Sequence, residues 1–287
     1  MSVKKYLETI EDFKGRKIAL TGATSGIGKQ VFYHLINKHA SMVLLVRSVE
    51  KAEALKAEFP DADIDIIYYD QASYKKIEAG CDELLNKHPD VDIIILNAGV
   101  LGEKGATEDG HPATIGVNYF GPRHFIDYIS PKLKRPTRFV IQGSIVAGLK
   151  PKKNAALSDI RLGTFTQYNL SKIYLEAYFY KLVTDNKYPN IEYVLTEPGI
   201  SSTGVIRNFN GFIRFTGKYF LKIVFHSPKK ACLPLLLAST SNAKNGDYIT
   251  PRGIWTMSGY PKIKEFPEKR RREYLFAKEK SLYEVLG

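Results

Sequence analysis

A short apolar stretch, Arg16-Lys17-Ile18-Ala19-Leu20, runs directly into Thr21-Gly22-Ala23-Thr24-Ser25-Gly26-Ile27-Gly28 and then into Lys29–Lys38, where Val31, Leu35 and Ile36 recur at helical spacing. No other stretch restricts the fold as much. Strand, glycine-rich turn and helix form the context that a phosphate cradle needs. Gly22 permits a tight turn, Gly26 lets backbone approach a pyrophosphate, and Gly28 lets helix and strand pack closely. The helix N-terminus supplies N–H groups and partial positive charge for an anion.

The 287 residues suit one large α/β domain or two small ones, and 44% apolar with 25% charged residues suffices for a full core. Cys81 and Cys232 lack any C-x-x-C spacing, which argues against a disulfide framework or zinc site, and the six histidines have no metal-ligand pattern. No metal is therefore expected. The N-terminal segment has no apolar signal region and no run approaches membrane-spanning length, so a cytoplasmic location is expected. The formal charge of +12 fits nucleic acid, an anionic membrane or an anionic ligand. No helix-turn-helix or RNP-like motif accompanies it, so nucleic acid is not expected as a partner.

Ser41–Val46 reads as the second strand and ends at Arg47. In a dinucleotide site an acid there would bind the free 2′-OH of NAD, whereas an arginine suits the 2′-phosphate of NADP. Asp65–Tyr69 is a third strand ending at Asp70, which could lie by adenine or cap the helix over Tyr74–Lys87. Val91–Leu96 is a run of near-continuous apolar residues, as in a strand buried on both faces, and stops at Asn97-Ala98-Gly99. A helix beginning near Pro112 carries Asn118, with a kink expected at Gly121-Pro122. An asparagine beside a kink could hold a water through a freed carbonyl. Arg138–Ile141 is the fifth strand, and Ser144 lies just past its end, in the crevice where open α/β sheets bind ligands.

A long basic connection, Leu149–Gln167, precedes a helix carrying Tyr168 and Lys172. These lie four residues apart, on one helical face. An ammonium beside a phenol should lower the tyrosine pKa from its reference near ~10 and yield a general acid/base. Ile191–Leu195 is the sixth strand, followed by Pro198, Gly199 and the hydroxyls that include Thr203. Aromatic and basic residues interleave over 207–226, read as part of a substrate lid (201–227) with membrane-surface contact as the alternative. Pro228–Ser239 reads as a helix, Asp247–Pro251 as a last strand, and 260–287 as a C-terminal surface helix.

In order, Thr21–Gly28, Asn97-Ala98-Gly99, Ser144, Tyr168-x-x-x-Lys172 and Pro198-Gly199-x-x-x-Thr203 resemble the short-chain dehydrogenase/reductase family over nearly the whole chain. Arg47-Ser48, Asp70-Gln71-Ala72-Ser73, the long loop before Tyr168 and the C-terminal helix look most like its retinol-dehydrogenase and protochlorophyllide-reductase branch. The resemblance implies a single Rossmann-type domain with seven mostly parallel strands and helices on both faces. It implies hydride transfer between NADP(H), rather than NAD(H), and an alcohol/carbonyl substrate, which is expected to be apolar. Tyr168 would be the general acid/base, Ser144 would hydrogen-bond the substrate oxygen, and Lys172 would tune Tyr168 and bind the nicotinamide ribose. Asn118 would help hold a water. The cofactor contacts would come from Gly22, Thr24, Ser25, Gly26, Ile27, Gly28, Arg47, Asp70, Asn97, Ala98, Gly99, Tyr168, Lys172, Pro198, Gly199 and Thr203. Gly143 stands where a second serine is frequent and is read as neutral. The Ser144–Tyr168 spacing is wider than in many members, so their approach depends on the intervening loop folding back.

Two other readings stay open at this level: a non-catalytic NADP(H)-binding sensor or scaffold, and a peripheral membrane or lipid-interacting protein. Homo-oligomerisation is also open.

Overall fold

The apolar runs become strands covered on both faces. In the computed structural model, which describes residues 2–150, 157–199, 227–253, 257 and 259–271, eight strands form one sheet. They are β1 (Lys17–Thr21), β2 (Ser41–Val46), β3 (Ile64–Tyr68), β4 (Ile93–Leu96), β5 (Thr137–Gln142), β6 (Ile191–Thr196), β7 (Tyr248–Pro251) and β8 (Pro261–Lys264). Their order is β3-β2-β1-β4-β5-β6-β7-β8. All pairings from β3 to β7 are parallel, and β8 alone is antiparallel. This is the Rossmann-type α/β arrangement. The chain reverses its winding direction between β1 and β4, and the crevice beyond the carboxyl ends of those strands is where such sheets bind ligands.

Alternate strand residues feed two cores. Ala19, Val43, Leu45, Ile94, Phe139, Ile141 and Leu195 pack on one face with α4 (Tyr74–Lys87), α6 (Gly121–Ile129) and α7 (Thr164–Asp185). Ile18, Leu20, Met42, Leu44, Ile95, Val140 and Val194 pack on the other with α2 (Gly26–Ile36) and α9 (Leu233–Ala238). Two covered faces explain why the strands carry apolar runs rather than alternation. Further helices among the described residues are α1 (Val3–Glu8), α3 (Val49–Lys56), α5 (Ala113–Ile115) and α8 (Pro228–Ala231). Among the described residues no helix is long and apolar enough to cross a membrane.

Four expectations change. The segment expected to begin a C-terminal helix at 260 instead makes strand β8, which returns antiparallel along β7 and covers what would otherwise be an open sheet edge. Ile263 packs on the α2 side of the sheet, so burial outweighs any helical pattern there. Among the described residues helix resumes at 268–271. The sheet therefore has eight strands rather than seven, its seven parallel strands followed by that edge.

The expected kink at Gly121-Pro122 is a π-helical turn over Gly116–Phe120, placed just before it. Pro122 then sits in the first turn of α6, where a missing N–H costs nothing. Ser73, rather than Asp70, caps α4; the Asp70 carboxylate accepts from Ala72 N at 3.0 Å. The helix read over Pro228–Ser239 divides into α8 and α9 around Cys232, with Pro234 in the first turn of α9. Thr203, the lid apart from Ser227, and the 207–226 segment lie outside the described residues, as do 151–156 and 272–287.

Candidate active site

The glycine turn connects β1 to α2 at close range. Gly22 has φ 72°, in the left-handed region that favours glycine. A Cβ on Gly28 would lie 2.1 Å from the Gly22 carbonyl oxygen and 2.5 Å from Asn97 Nδ2, so only a hydrogen fits there. Asn97 Nδ2 donates to the Thr21 carbonyl at 3.0 Å. Thr21 Oγ1 in turn accepts from the backbone N–H groups of Asn97 and Ala98, both at 3.0 Å. Thr21 thereby ties the ends of β1 and β4 together, a role its place in the glycine run does not announce.

Ser25 takes the N-cap position of α2 but makes no side-chain capping bond. The α2 N-terminus, Thr24 and Ile27 thus border the turn with no capping side chain over it. Arg47 is exposed at the carboxyl end of β2, and half-buried Asp70 follows the end of β3. These residues and the Asn97-Ala98-Gly99 segment bound one crevice edge. The close packing of Gly28 on Gly22 leaves the uncapped α2 N-terminus at the turn, a chemistry that fits a dinucleotide pyrophosphate.

The second half of the crevice is built on α7. Its buried face carries Gln167, Asn169, Ser171, Lys172 and Glu176, polar groups that each need a partner. Asn169 Nδ2 donates to the Val146 carbonyl at 2.7 Å, pinning the helix to the 3-10 turn Ile145–Gly148. Ser144 caps that turn, its Oγ accepting from Val146 N at 3.5 Å. Tyr168 Oη donates to Ser144 Oγ at 3.3 Å. Lys172 Nζ donates to the Gln142 carbonyl at 2.8 Å.

Asn118, in the π turn, holds the loop after β4: its Oδ1 accepts from Val100 N and its Nδ2 donates to Val100 O, both at 2.8 Å. The same Nδ2 donates to Ser171 Oγ at 3.3 Å. A Cβ on Gly99 would sit 3.1 Å from Asn118 Oδ1 and 3.9 Å from Lys172 Nζ, so these three residues meet at one point. Asn118, Ser144, Tyr168, Lys172 and Gly99 are therefore brought together. Pro198 and Gly199 follow the end of β6, two strands from β4.

The electrostatics depart from expectation. The Tyr168 pKa is raised, not lowered: burial dominates, and the Glu176 and Glu197 carboxylates add to it against the opposing Ser144 hydrogen bond. Lys172 has turned to the Gln142 carbonyl, and burial pushes its own pKa down to about 8. Tyr168 thus holds its proton firmly.

Under these groups lies a set that sequence reasoning missed. Arg270 Nη1 lies 2.7 Å from both Glu176 Oε2 and Glu197 Oε1, and donates to Tyr248 Oη at 2.9 Å. Both carboxyl groups are buried. Glu176 follows Lys172 by one helical turn, which is a legible signal; Arg270, 94 residues after Glu176, offers none.

The short chain dehydrogenase family profile matches residues 16–212, more than half of the chain. The chain belongs to the short-chain dehydrogenase family. Among curated relatives, this dehydrogenase is 28% identical to retinol dehydrogenase 13 of Homo sapiens over 203 residues, covering 68% of this chain and 61% of that protein. It is 33% identical to dehydrogenase/reductase SDR family member 13 of Bos taurus over 141 residues, covering 47% and 37% respectively. The chain thus spans less than two thirds of the length of these two relatives. Among solved structures, an uncharacterized protein from Mycobacterium Paratuberculosis superposes with a TM-score of 0.73 at 19% identity over 94% of each chain. A gluconate 5-dehydrogenase from Burkholderia cenocepacia, in complex with NADP and tartrate, gives 0.64 at 20% identity over 81% of this chain and 90% of its own. The dehydrogenase thus has the NAD(P)-binding oxidoreductase fold typical of its family.

Proposed function

We propose that this short-chain dehydrogenase uses NADP(H) to interconvert an alcohol and a carbonyl compound, with Tyr168 as general acid/base. The observation that carries the reading is the Tyr168 Oη–Ser144 Oγ hydrogen bond, with Lys172 one turn along the same helix. Two hydroxyls so placed can meet one substrate oxygen. Ser144 is the acceptor both from Tyr168 and from Val146, so its own O–H proton can turn to that oxygen and stabilise charge growing on it. Tyr168, its pKa raised, keeps a proton to deliver at neutral pH, which suits the reductive direction.

The cofactor, when bound, supplies the hydride. The chain's residues orient and charge the site. Gly22, Thr24, Ser25, Gly26, Ile27 and Gly28 would hold the pyrophosphate, Arg47 the 2′-phosphate, and Asp70 the adenine side. Asn97, Ala98, Gly99, Pro198, Gly199 and Thr203 would line the nicotinamide end. Lys172 would exchange its bond to Gln142 for the nicotinamide ribose hydroxyls. Asn118 would keep the loop after β4 in place beside Lys172 and help hold a water on the route to solvent.

The substrate we favour is an apolar alcohol or aldehyde of the retinoid kind. The names of the retinol dehydrogenase 13 relatives and the branch-like segments around Arg47 and Asp70 support it. A single catalytic domain in the cytoplasm, touching membrane surfaces through 207–226, belongs to the same proposal and is checked by cell fractionation and vesicle co-sedimentation. The direct test is NADPH oxidation across a panel of aldehydes and ketones. Turnover that Tyr168→Phe abolishes is expected. NADPH binding with no turnover of any panel member would replace this reading with that of a nucleotide-binding scaffold.

A further inference from the structure

The carboxylate of Glu176 sits between the reacting groups and the C-terminal segment. Its Oε1 accepts from the Ser144 backbone N–H at 3.4 Å, and its Oε2 meets Arg270. The space it uses exists because position 143 is glycine. A Cβ there would lie 2.8 Å from Glu176 Oε1, 3.1 Å from the Thr196 carbonyl oxygen and 3.3 Å from Leu195 Cδ1. Gly148 makes the matching room for the guanidinium, since a Cβ there would be 2.8 Å from Arg270 Nη2. A serine at 143, frequent in the family, would therefore collide with this carboxylate, so Gly143 is not neutral here.

We propose that Glu176, held by Arg270 of the C-terminal segment, is a positioning residue for the Tyr168–Lys172 pair: it anchors the Ser144 backbone and places a carboxyl group one helical turn from Lys172. The inference rests on the oxidoreductase reading for its kinetic consequence only. The groups facing Glu176 are Lys172 and Tyr168 from its own helix, Glu197 from the end of β6, Tyr248 from β7 and Arg270. With both carboxylates ionised, the two acids balance Lys172 and Arg270. Without Arg270, two buried carboxylates would face one lysine, and one of them would take up a proton. Burial and Glu197 already raise the Glu176 pKa, and Arg270 opposes that rise. The balance leaves the Glu176 pKa raised to about 8, so Arg270 is the group that favours the ionised carboxylate in the range where Lys172 titrates. Glu176 in turn raises the pKa of both Lys172 and Tyr168.

The test uses the full chain with Glu176→Gln, Arg270→Met and Arg270→Lys. The Lys172 titration is followed by NMR on protein labelled with 13C at lysine Cε, assigned with Lys172→Arg. Glu176→Gln is expected to lower the Lys172 midpoint by about one unit. The alkaline limb of reductive kcat should move down with it, because Tyr168 and Lys172 both lose a negative neighbour. Arg270→Met should act in the same direction, and Arg270→Lys should restore most of the shift. An unmoved Lys172 midpoint, whatever the loss in Tm, would reduce the cluster to a structural tie and overturn the proposal. If Glu176→Gln does not fold, Gly143→Ala displaces the carboxylate instead and should produce a smaller shift of the same sign. Absence of turnover in the wild type would defeat the oxidoreductase reading while the NMR titration still decides this one.

Discussion

Tyr168 Oη donates to Ser144 Oγ across 3.3 Å, although 24 residues separate the two in sequence. The wide spacing is taken up locally at both ends. The chain leaves β5 through the 3-10 turn Ile145–Gly148, and α7 begins at Thr164, one turn ahead of Tyr168. The Asn169–Val146 hydrogen bond fixes these two elements against each other. The contact therefore depends on a helix packed on a strand end.

Removing the two hydroxyls should separate their roles. Tyr168→Phe is expected to lower kcat by about 10²–10⁴, the usual worth of a general acid. Ser144→Ala should cost about 10²–10³, as for a lost oxyanion donor. Circular dichroism should show both variants folded, because each change deletes one oxygen. Steady-state kinetics with the best carbonyl of the panel makes the measurement; full activity in either variant would refute its role.

Gly28→Ala places a methyl group 2.1 Å from the Gly22 carbonyl oxygen, and backbone cannot rotate away as a side chain does. We expect a loss of about 1–3 kcal/mol in stability, typical of overpacking. NADPH affinity should fall by more than tenfold, because the turn that opens is the one that would hold the pyrophosphate. Fluorescence titration with NADPH and chemical denaturation measure the two effects. A variant with unchanged affinity would move the nucleotide away from this turn.

Arg47 is exposed at the end of β2, so its replacement should leave folding within about 0.5 kcal/mol of the wild type. Arg47→Asp should shift the ratio of kcat/KM for NADPH over NADH by roughly tenfold or more toward NADH, since a carboxylate repels the 2′-phosphate and accepts from a free 2′-OH. An unchanged ratio would remove Arg47 from cofactor selection.

Lys172 carries a pH signature. Burial lowers its pKa from 10.5 to about 8. Between those values the folded chain has released the proton that the unfolded chain still binds, so this group makes stability rise with pH across that window. Below about pH 8 the cost of keeping a buried ammonium is present in full, on the order of 3 kcal/mol. Urea denaturation at intervals from pH 7 to 10.5 should show that rise in the wild type and a flatter profile in Lys172→Met. Parallel profiles would mean that Lys172 titrates at its ordinary value.

Much of the site was readable in advance because its chemistry is local. The strand–glycine–helix order of residues 16–38 specifies a turn with room for phosphate, and the four-residue spacing of Tyr168 and Lys172 specifies one helical face. The parallel sheet followed from apolar runs such as Val91–Leu96, which suit only a strand covered on both sides. The errors have equally physical causes. Pro261–Lys264 has no strong strand pattern and becomes β8 because β7 presents an unpaired edge. The lowered Tyr168 pKa was inferred from Lys172 alone, but burial raises it, aided by Glu176 of the same helix and by Glu197 from the end of β6.

The sequence by itself determined the class of sheet, the glycine turn between β1 and α2 and the placing of tyrosine and lysine on one helix, since each needs only backbone geometry and neighbours within a few residues. Only the tertiary structure decided which charges surround that pair. Glu197 arrives from the end of β6 and Arg270 from beyond β8, and they meet Glu176 in a space left by Gly143 and Gly148. Charge–charge energies inside a protein depend on distance and burial. Contacts between residues as far apart as 176 and 270 are set by how the layers pack, which no local spacing encodes.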